Sequence, residues 1–403
     1  MQSAVFVGLG YIGLPTAALV ASSGIRVLGV DVNPEVVSTI NEGRIHITEP
    51  DLDGLVHEMV KCGMLRAALK PESADAFFIV VPTPFTEDRR GDTSYVEAAV
   101  HSILPFLNPG NLMVIESTSP VRTTEKMADL VFTSRPELRE KIHIAYCPER
   151  VLPGRILHEL VHNDRVIGGI NPESTEAATG FYRKFVRGTL HPSDARTAEM
   201  CKLTENASRD MQIAFANELS MICDEAGIDV WKLISLANRH PRVNILQPSC
   251  GVGGHCIAVD PWFIVSDYPA HSALIRRARE TNDLKADWCY EKVVKAAATF
   301  RDVHQRNPVV ACMGLAFKPD IDDLRESPAL EISQQLACRN DLETLFVEPN
   351  IASLHGRRLV TADEAFEKAD IIVWLVRHKE FVILPKATLK IELDFCGVRR
   401  NIA

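Results

Sequence analysis

The sequence carries no surplus of positive charge: 44 Lys plus Arg stand against 53 Asp plus Glu, a net charge of −9 over 403 residues. A chain that grips a nucleic-acid backbone or an anionic membrane needs a basic face, so neither is expected as the main partner. A local basic pocket for a small phosphate ligand remains compatible with that balance. Long apolar runs are missing too. The longest, residues 76–82 and 371–376, fall far short of the roughly 18 residues that suggest a membrane span. No charged-then-apolar leader opens the chain, since Met1 runs almost directly into Ala4-Val5-Phe6-Val7. The ten cysteines form no CxxC pair and no short Cys/His cluster of zinc-like spacing. No metal is expected, and reduced thiols in the cytoplasm are.

What is present is ordinary globular material, 46% hydrophobic and 24% charged, enough to bury a core. At roughly 150 residues per domain the length predicts two or three domains. The first third alternates β-branched runs (residues 4–7, 27–30, 77–81, 112–116, 143–146 and 166–167) with helical stretches, as in βαβ units of a parallel sheet. Residues 197–226 then hold no Gly or Pro, with apolar positions at near-helical spacing. That predicts one helix of ~45 Å, a domain spine or a subunit interface, with more helix at 230–238 and 273–301. Strand and helix alternate again after residue 309, with strands expected at 309–312, 344–347, 371–376 and 391–394. Residues 74–81 echo residues 368–376, and both Asp31-Val32-Asn33 and Glu348-Pro349-Asn350 close a strand. The fold expected is α/β. Two Rossmann-like parallel-sheet domains, 1–190 and 301–403, flank a helical middle, 191–300.

Gly8-Leu9-Gly10-Tyr11-Ile12-Gly13 follows the first strand directly. Gly8 permits a tight turn, Gly10 lets the backbone approach a pyrophosphate, and Gly13 allows close helix–strand packing. The following helix offers unpaired N–H groups to the phosphates. Asp31, 18 residues beyond Gly13, is placed to accept from ribose hydroxyls and to repel a 2′-phosphate, so NAD is expected over NADP. A second glycine-rich loop, Gly251-Val252-Gly253-Gly254-His255-Cys256, presents a cysteine that is either a nucleophile or an inert buried thiol. His255 is its neighbour, but adjacent residues of an extended loop point apart, and a shaping role fits it better. Lys202, Asn206 and Arg209 share one face of the long helix, where an anionic substrate or plain solvent could meet them. Asp260 lies four residues past Cys256, in reach of orienting Lys202.

The segments GLGYIGLP, EST, CPERVLPG, AEMCKLTEN, GVGGHCIAVDPWF and GLAFKPDIDDLRESP run in order from Gly8 to Pro328. Together they resemble the nucleotide-sugar dehydrogenases of the UDP-glucose/UDP-mannuronate family. The wording around residues 205–220 and 238–248 is most similar to the branch acting on UDP-N-acetyl-D-mannosamine, with the UDP-N-acetylglucosamine 6-dehydrogenase branch next. A silent NAD-binding protein is the remote alternative.

The resemblance implies two successive oxidations of a C6 alcohol to a carboxylate. In that scheme Cys256 is the nucleophile, Lys202 stabilises oxyanions and moves protons, Asp260 supports Lys202, and Glu149 activates water. It implies cofactor contacts at Tyr11, Ile12, Asp31, Thr83, Thr118 and Arg325. Substrate contacts would come from Arg150, Val151, Lys202, Asn206, Arg209, His240, Arg242, Gly253, Phe317 and Lys318. It also implies a homodimer or higher homo-oligomer, in which Arg242 reaches a neighbour's site. Three positions depart from the family pattern: Ser249-Cys250 replaces Gly-Pro, Arg122 replaces a glycine, and Cys396 replaces a basic substrate contact for which Arg399 or Arg400 is a substitute.

Overall fold

The structure is a computed structural model that describes residues 1–86, 88–152, 154–387 and 389–400. Pro153 of the CPERVLPG segment lies outside the described residues. Short segments between turns and helices form the strands Ser3–Val7 (β1), Arg26–Val30 (β2), Leu65–Ala68 (β3), Ala76–Ile79 (β4), Leu112–Ile115 (β5), His143–Tyr146 (β6), Arg165–Gly169 (β7) and Leu190–Asp194 (β8). They make one sheet in the order β3-β2-β1-β4-β5-β6-β7-β8, parallel throughout except at β6–β7. The side-chain period of two sends Ala4 and Phe6 to one face and Val5 and Val7 to the other, each into a separate apolar cluster. Both faces are therefore covered, as a parallel sheet requires. The direction of strand order reverses between β1 and β4, which marks the crevice at the strand C-termini as the ligand position.

Residues 1–205 and 206–403 are two compact units. The spine helix Ala195–Ala226 runs through their boundary and ends before Gly227, whose φ of +66° suits a helix C-terminus. Within the second unit the spine pairs with the helix Ala273–His304 along a seam that is polar and buried. Arg279 Nη1 donates to Asp210 at 2.7 Å, Asn217 Nδ2 to Asn282 Oδ1 at 2.9 Å, and Lys285 Nζ to Ser220 Oγ at 2.7 Å. Sequence periodicity anticipates apolar packing there, and the structure places polar pairs, each joined by a hydrogen bond across the seam, with Asp210 Oδ2 and Arg279 Nε left without a hydrogen-bond partner among the described residues.

The second sheet is Val309–Met313 (β9), Glu343–Val347 (β10), Ile371–Trp374 (β11) and Ile391–Asp394 (β12), in the order β10-β9-β11-β12 and all parallel. Val310 and Cys312 face one apolar cluster, Ala311 and Met313 the other. Among the described residues no helix is long and apolar enough to cross a membrane.

Candidate active site

The first crevice begins at the turn after β1. Gly8 has φ +97°, and a Cβ there would sit 2.3 Å from the Val80 carbonyl oxygen. At Gly13 a Cβ would lie 1.9 Å from the Gly8 oxygen, whereas at Gly10 it would meet nothing within 4 Å. Two of the glycines are thus demanded by the protein's own packing, and the third faces open space in front of the helix Gly13–Ser22. Asp31 holds the turn by accepting from Leu9 N (3.1 Å) and from Asn33 N (2.9 Å). His46, invisible to motif reading, lies beside Asp31; burial lowers its pKa and the Asp31 charge opposes that shift. Tyr11 is exposed at the mouth, and Thr83 Oγ1 donates to the Thr118 carbonyl at 2.5 Å, joining the ends of two crevice loops. An open glycine, a helix N-terminus and a carboxylate at the next strand end fit the phosphates and ribose of a dinucleotide.

Behind this crevice lies a buried acid–base cluster. Glu149, after β6, pairs with Arg165 Nη2 at 3.1 Å and accepts from Arg150 N at 2.6 Å. The Glu116 carboxyl, after β5, meets the Tyr182 hydroxyl at 2.5 Å. Burial pushes Glu116 up to about 7, with the Arg165 charge working against that rise. Arg165 is itself buried, yet Glu149 and its other neighbours raise its pKa past the burial penalty. Glu49, also missed by sequence reading, accepts from Gly154 N (2.8 Å) and Ile156 N (2.7 Å) and so anchors the loop carrying Arg150 and half-buried Val151.

On the spine helix Lys202 and Asn206 are half-buried and Arg209 exposed, at the four- and seven-residue spacing of one face. Arg150 Nε reaches Glu205 on this helix at 3.2 Å. In the second unit, Asn206 Nδ2 donates to Asp260 Oδ2 at 2.5 Å. Asp260 is buried and opens the helix Asp260–Asp267. The Cys256 carbonyl accepts from Val259 N (3.1 Å) and Asp260 N (2.8 Å), which fixes the cysteine at that helix's start. Cys256 is exposed. Cys250, the other thiol of the loop, is buried against the Leu375 carbonyl at 3.5 Å, and burial pushes it up to about 12. The loop thus presents one thiol and hides the other.

The loop's glycines have packing reasons of their own. Gly251 and Gly254 have φ of +147° and +82°, and a Cβ on Gly253 would approach the Glu326 oxygen to 2.2 Å and Phe317 Cβ to 2.9 Å. Half-buried Phe317 and exposed Lys318 therefore stand beside the cysteine loop. Exposed His255 has its pKa lowered by partial burial and by the Arg325 charge, against Asp323 and Glu326. Arg325 itself is forked onto Asp323 at 2.6–3.1 Å. His240 and Arg242 are exposed on a loop that Asn238 closes, its amide bonding Ile245 O (3.0 Å) and Ile245 N (2.7 Å).

The profile of the UDP-glucose/GDP-mannose dehydrogenase family matches as its NAD binding domain over residues 2–186, its central domain over 196–284 and its UDP binding domain over 311–394. The chain belongs to that family. As a UDP-glucose/GDP-mannose dehydrogenase family member it is an NAD-dependent oxidoreductase with a UDP binding domain at its end. It is 57% identical to the NDP-N-acetyl-D-galactosaminuronic acid dehydrogenase of Ralstonia nicotianae, over 93% of this chain and 90% of that one. It is 53% identical to the UDP-N-acetyl-D-mannosamine dehydrogenase of Escherichia coli over 94% of each. The solved UDP-D-ManNAc dehydrogenase of Pyrococcus horikoshii superposes with a TM-score of 0.91 at 37% identity, covering 99% of this chain and 96% of that one.

Two departures from the family pattern now have a structural description. Arg122 has φ +79°, a left-handed conformation that explains a glycine in relatives, and its N–H donates to Glu199 at 2.6 Å. Cys396 is buried, and burial raises its pKa well above that of an ordinary thiol. Arg399 and Arg400 both have partners within the chain. The Arg399 guanidinium bonds Glu392, Leu384 O and Pro385 O at 2.7–2.8 Å, and Arg400 pairs with Asp229.

Proposed function

We propose that this protein oxidises the C6 alcohol of UDP-N-acetyl-D-mannosamine to the uronate, two electrons at a time, with Cys256 as the covalent nucleophile. The observation that carries the reading is the construction of the cysteine loop. An exposed thiol is fixed at a helix start whose first residue, the buried Asp260, is tied to Asn206 of the spine.

NAD, bound over Gly10 with its ribose toward Asp31, would accept a hydride in each oxidation, so two are used per sugar. The side chains do the remaining work. After the first oxidation the Cys256 thiolate adds to the C6 aldehyde, forming a C–S bond and an alkoxide that Lys202 stabilises. Loss of two more electrons turns this thiohemiacetal into a thioester. Water activated by Glu149 then cleaves the C–S bond, releasing the carboxylate and the thiol. Thr83, Thr118, Tyr11, Ile12 and Arg325 belong to the cofactor side. Arg150, Val151, Asn206, Arg209, His240, Arg242, Gly253, Phe317 and Lys318 belong to the sugar-nucleotide side. The division into 1–190, 191–300 and 301–403 assigns these tasks to three domains, in a cytoplasmic homodimer or larger assembly.

A second reading has its own support. The relative with 57% identity bears the name of an N-acetyl-D-galactosaminuronic acid dehydrogenase, so a galacto-configured N-acetylhexosamine nucleotide is the competing substrate. Purified enzyme incubated with each UDP-N-acetylhexosamine decides between them. Two NADH per molecule of the manno sugar, with its uronate as product, is the expected result. One NADH and a stable aldehyde would remove the covalent mechanism.

A further inference from the structure

The second sheet repeats the cofactor turn of the first. Gly8 N donates to Val30 O at 2.8 Å after β1, and Gly314 N donates to Val347 O at 2.8 Å after β9. Gly314 has φ +94°, close to the +97° of Gly8. Glu348 stands where Asp31 stands: it accepts from Leu315 N (2.8 Å) and Asn350 N (3.0 Å) as Asp31 accepts from Leu9 N and Asn33 N. One feature differs. Asp31 is half-buried at a crevice, whereas Glu348 is 5% exposed and receives His378 Nε2 at 3.0 Å, with His378 fully buried just past β11. The position proposed to face a ribose in the first sheet is taken in the second by an imidazole.

The hydrogen-bond pattern fixes what that imidazole does. Its Nδ1 lies 3.0 Å from the backbone N–H of Asp320, which can only donate, so Nδ1 accepts and Nε2 carries the proton toward Glu348. Glu348 in turn takes both Leu315 N and Ala316 N, the latter at 3.0 Å. The segment 315–320 is therefore gripped at its start by Glu348 and at Asp320 by His378 itself. Phe317 lies between the two grips. Its ring presses on Gly254, where a Cβ would come within 2.9 Å of it, and Gly254 N donates to Arg325 O at 3.3 Å. Cys256 is two residues further on.

We propose that His378 and Glu348 are a positioning pair for the nucleophile: they set the place of Phe317, and Phe317 sets the backbone of the loop that presents Cys256. The buried carboxylate–imidazole pair ties the second dinucleotide-type turn to the cysteine loop. The inference rests on Cys256 being the nucleophile, but its test reads the loop separately from turnover.

Three variants are compared with the parent: His378→Phe, which fills the space without polar atoms; His378→Asn, which keeps an acceptor for Asp320; and His378→Gln, which keeps a donor for Glu348. Each is measured for kcat and KM, for NAD affinity, and for the rate at which iodoacetamide modifies Cys256, followed on the Cys256 peptide by mass spectrometry. His378→Phe is expected to lose at least tenfold in kcat and to change the Cys256 modification rate at least threefold, while NAD affinity stays within twofold. Asn and Gln each recover part of both losses. A folded His378→Phe with parental kcat and modification rate overturns the proposal. If that variant does not fold, Asn and Gln decide: both at parental values in kcat and modification overturn it, and a shared three- to tenfold loss supports it. Normal turnover by Cys256→Ser would instead overturn the covalent mechanism, leaving the modification rates to report on the loop alone.

Discussion

Arg122 shows what one residue of the wrong type costs. An L-residue held in the left-handed region loses roughly 1–2 kcal/mol, and glycine's greater unfolded freedom returns about 0.5–1 of that. The Arg122 side chain is 68% exposed and its 3.4 Å pair with Glu125 adds little. Arg122→Gly should therefore stabilise the protein by about 0.5–1 kcal/mol, seen as a rise of a degree or two in thermal midpoint. Glu116 makes a different prediction. Burial raises its pKa from 4.5 to about 7, so the folded protein holds this proton more tightly than the unfolded chain. Its contribution is present in full below pH 4.5 and is lost as pH rises through 7. Replacing it by Gln, which cannot ionise, should flatten the decline in stability between those values, measured by denaturant unfolding at a series of pH values.

At the scale of elements, the loop carrying His240 and Arg242 hangs on the Asn238 amide. Asn238→Ala removes both closing bonds, at about 1 kcal/mol each. The loop residues are proposed for substrate, so the expected outcome is a rise in KM for the UDP-sugar of several-fold with kcat within about twofold. Steady-state kinetics at saturating NAD checks it.

The same scale shows what the sequence discloses. The central strands and the long helix are legible because apolar periodicity is strongest where both faces are buried. Leu65–Ala68 and Leu190–Asp194 escape notice because they are edge strands. The second contains Pro192 and three exposed residues, so no alternation marks it. The glycine turn, Asp31 and the Cys256 loop are readable because their chemistry sits in contiguous residues. His46, Glu49, Arg165, Glu199 and His378 are not. Each is a lone polar residue whose partners are distant in the chain, and only folding brings them together.

For the whole molecule, the proposed sharing of sites between subunits is open to a mixing experiment. Arg242→Ala and Cys256→Ala chains should each be nearly inactive alone. If Arg242 completes a neighbour's site, hybrid dimers contain one doubly defective site and one intact site, and mixing restores part of the activity. No recovery despite demonstrated subunit exchange would confine Arg242 to its own chain.

The first turns of the spine also belong to the sheet they follow. Glu199 accepts from Arg122 N, Thr124 N and Thr124 Oγ1 at 2.6–2.7 Å, and Ala198 lies in the core beneath that sheet. Chains emerge from the ribosome N-terminus first. When residue 190 appears, the cofactor unit still lacks both the edge strand β8 and the residues that start the helix. A fragment ending at 190 should melt well below one ending at 205 and bind NAD more weakly, although both contain every residue of the glycine turn. During synthesis, the nucleotide-binding half is kept incomplete until the helix that continues toward the cysteine loop has begun to form.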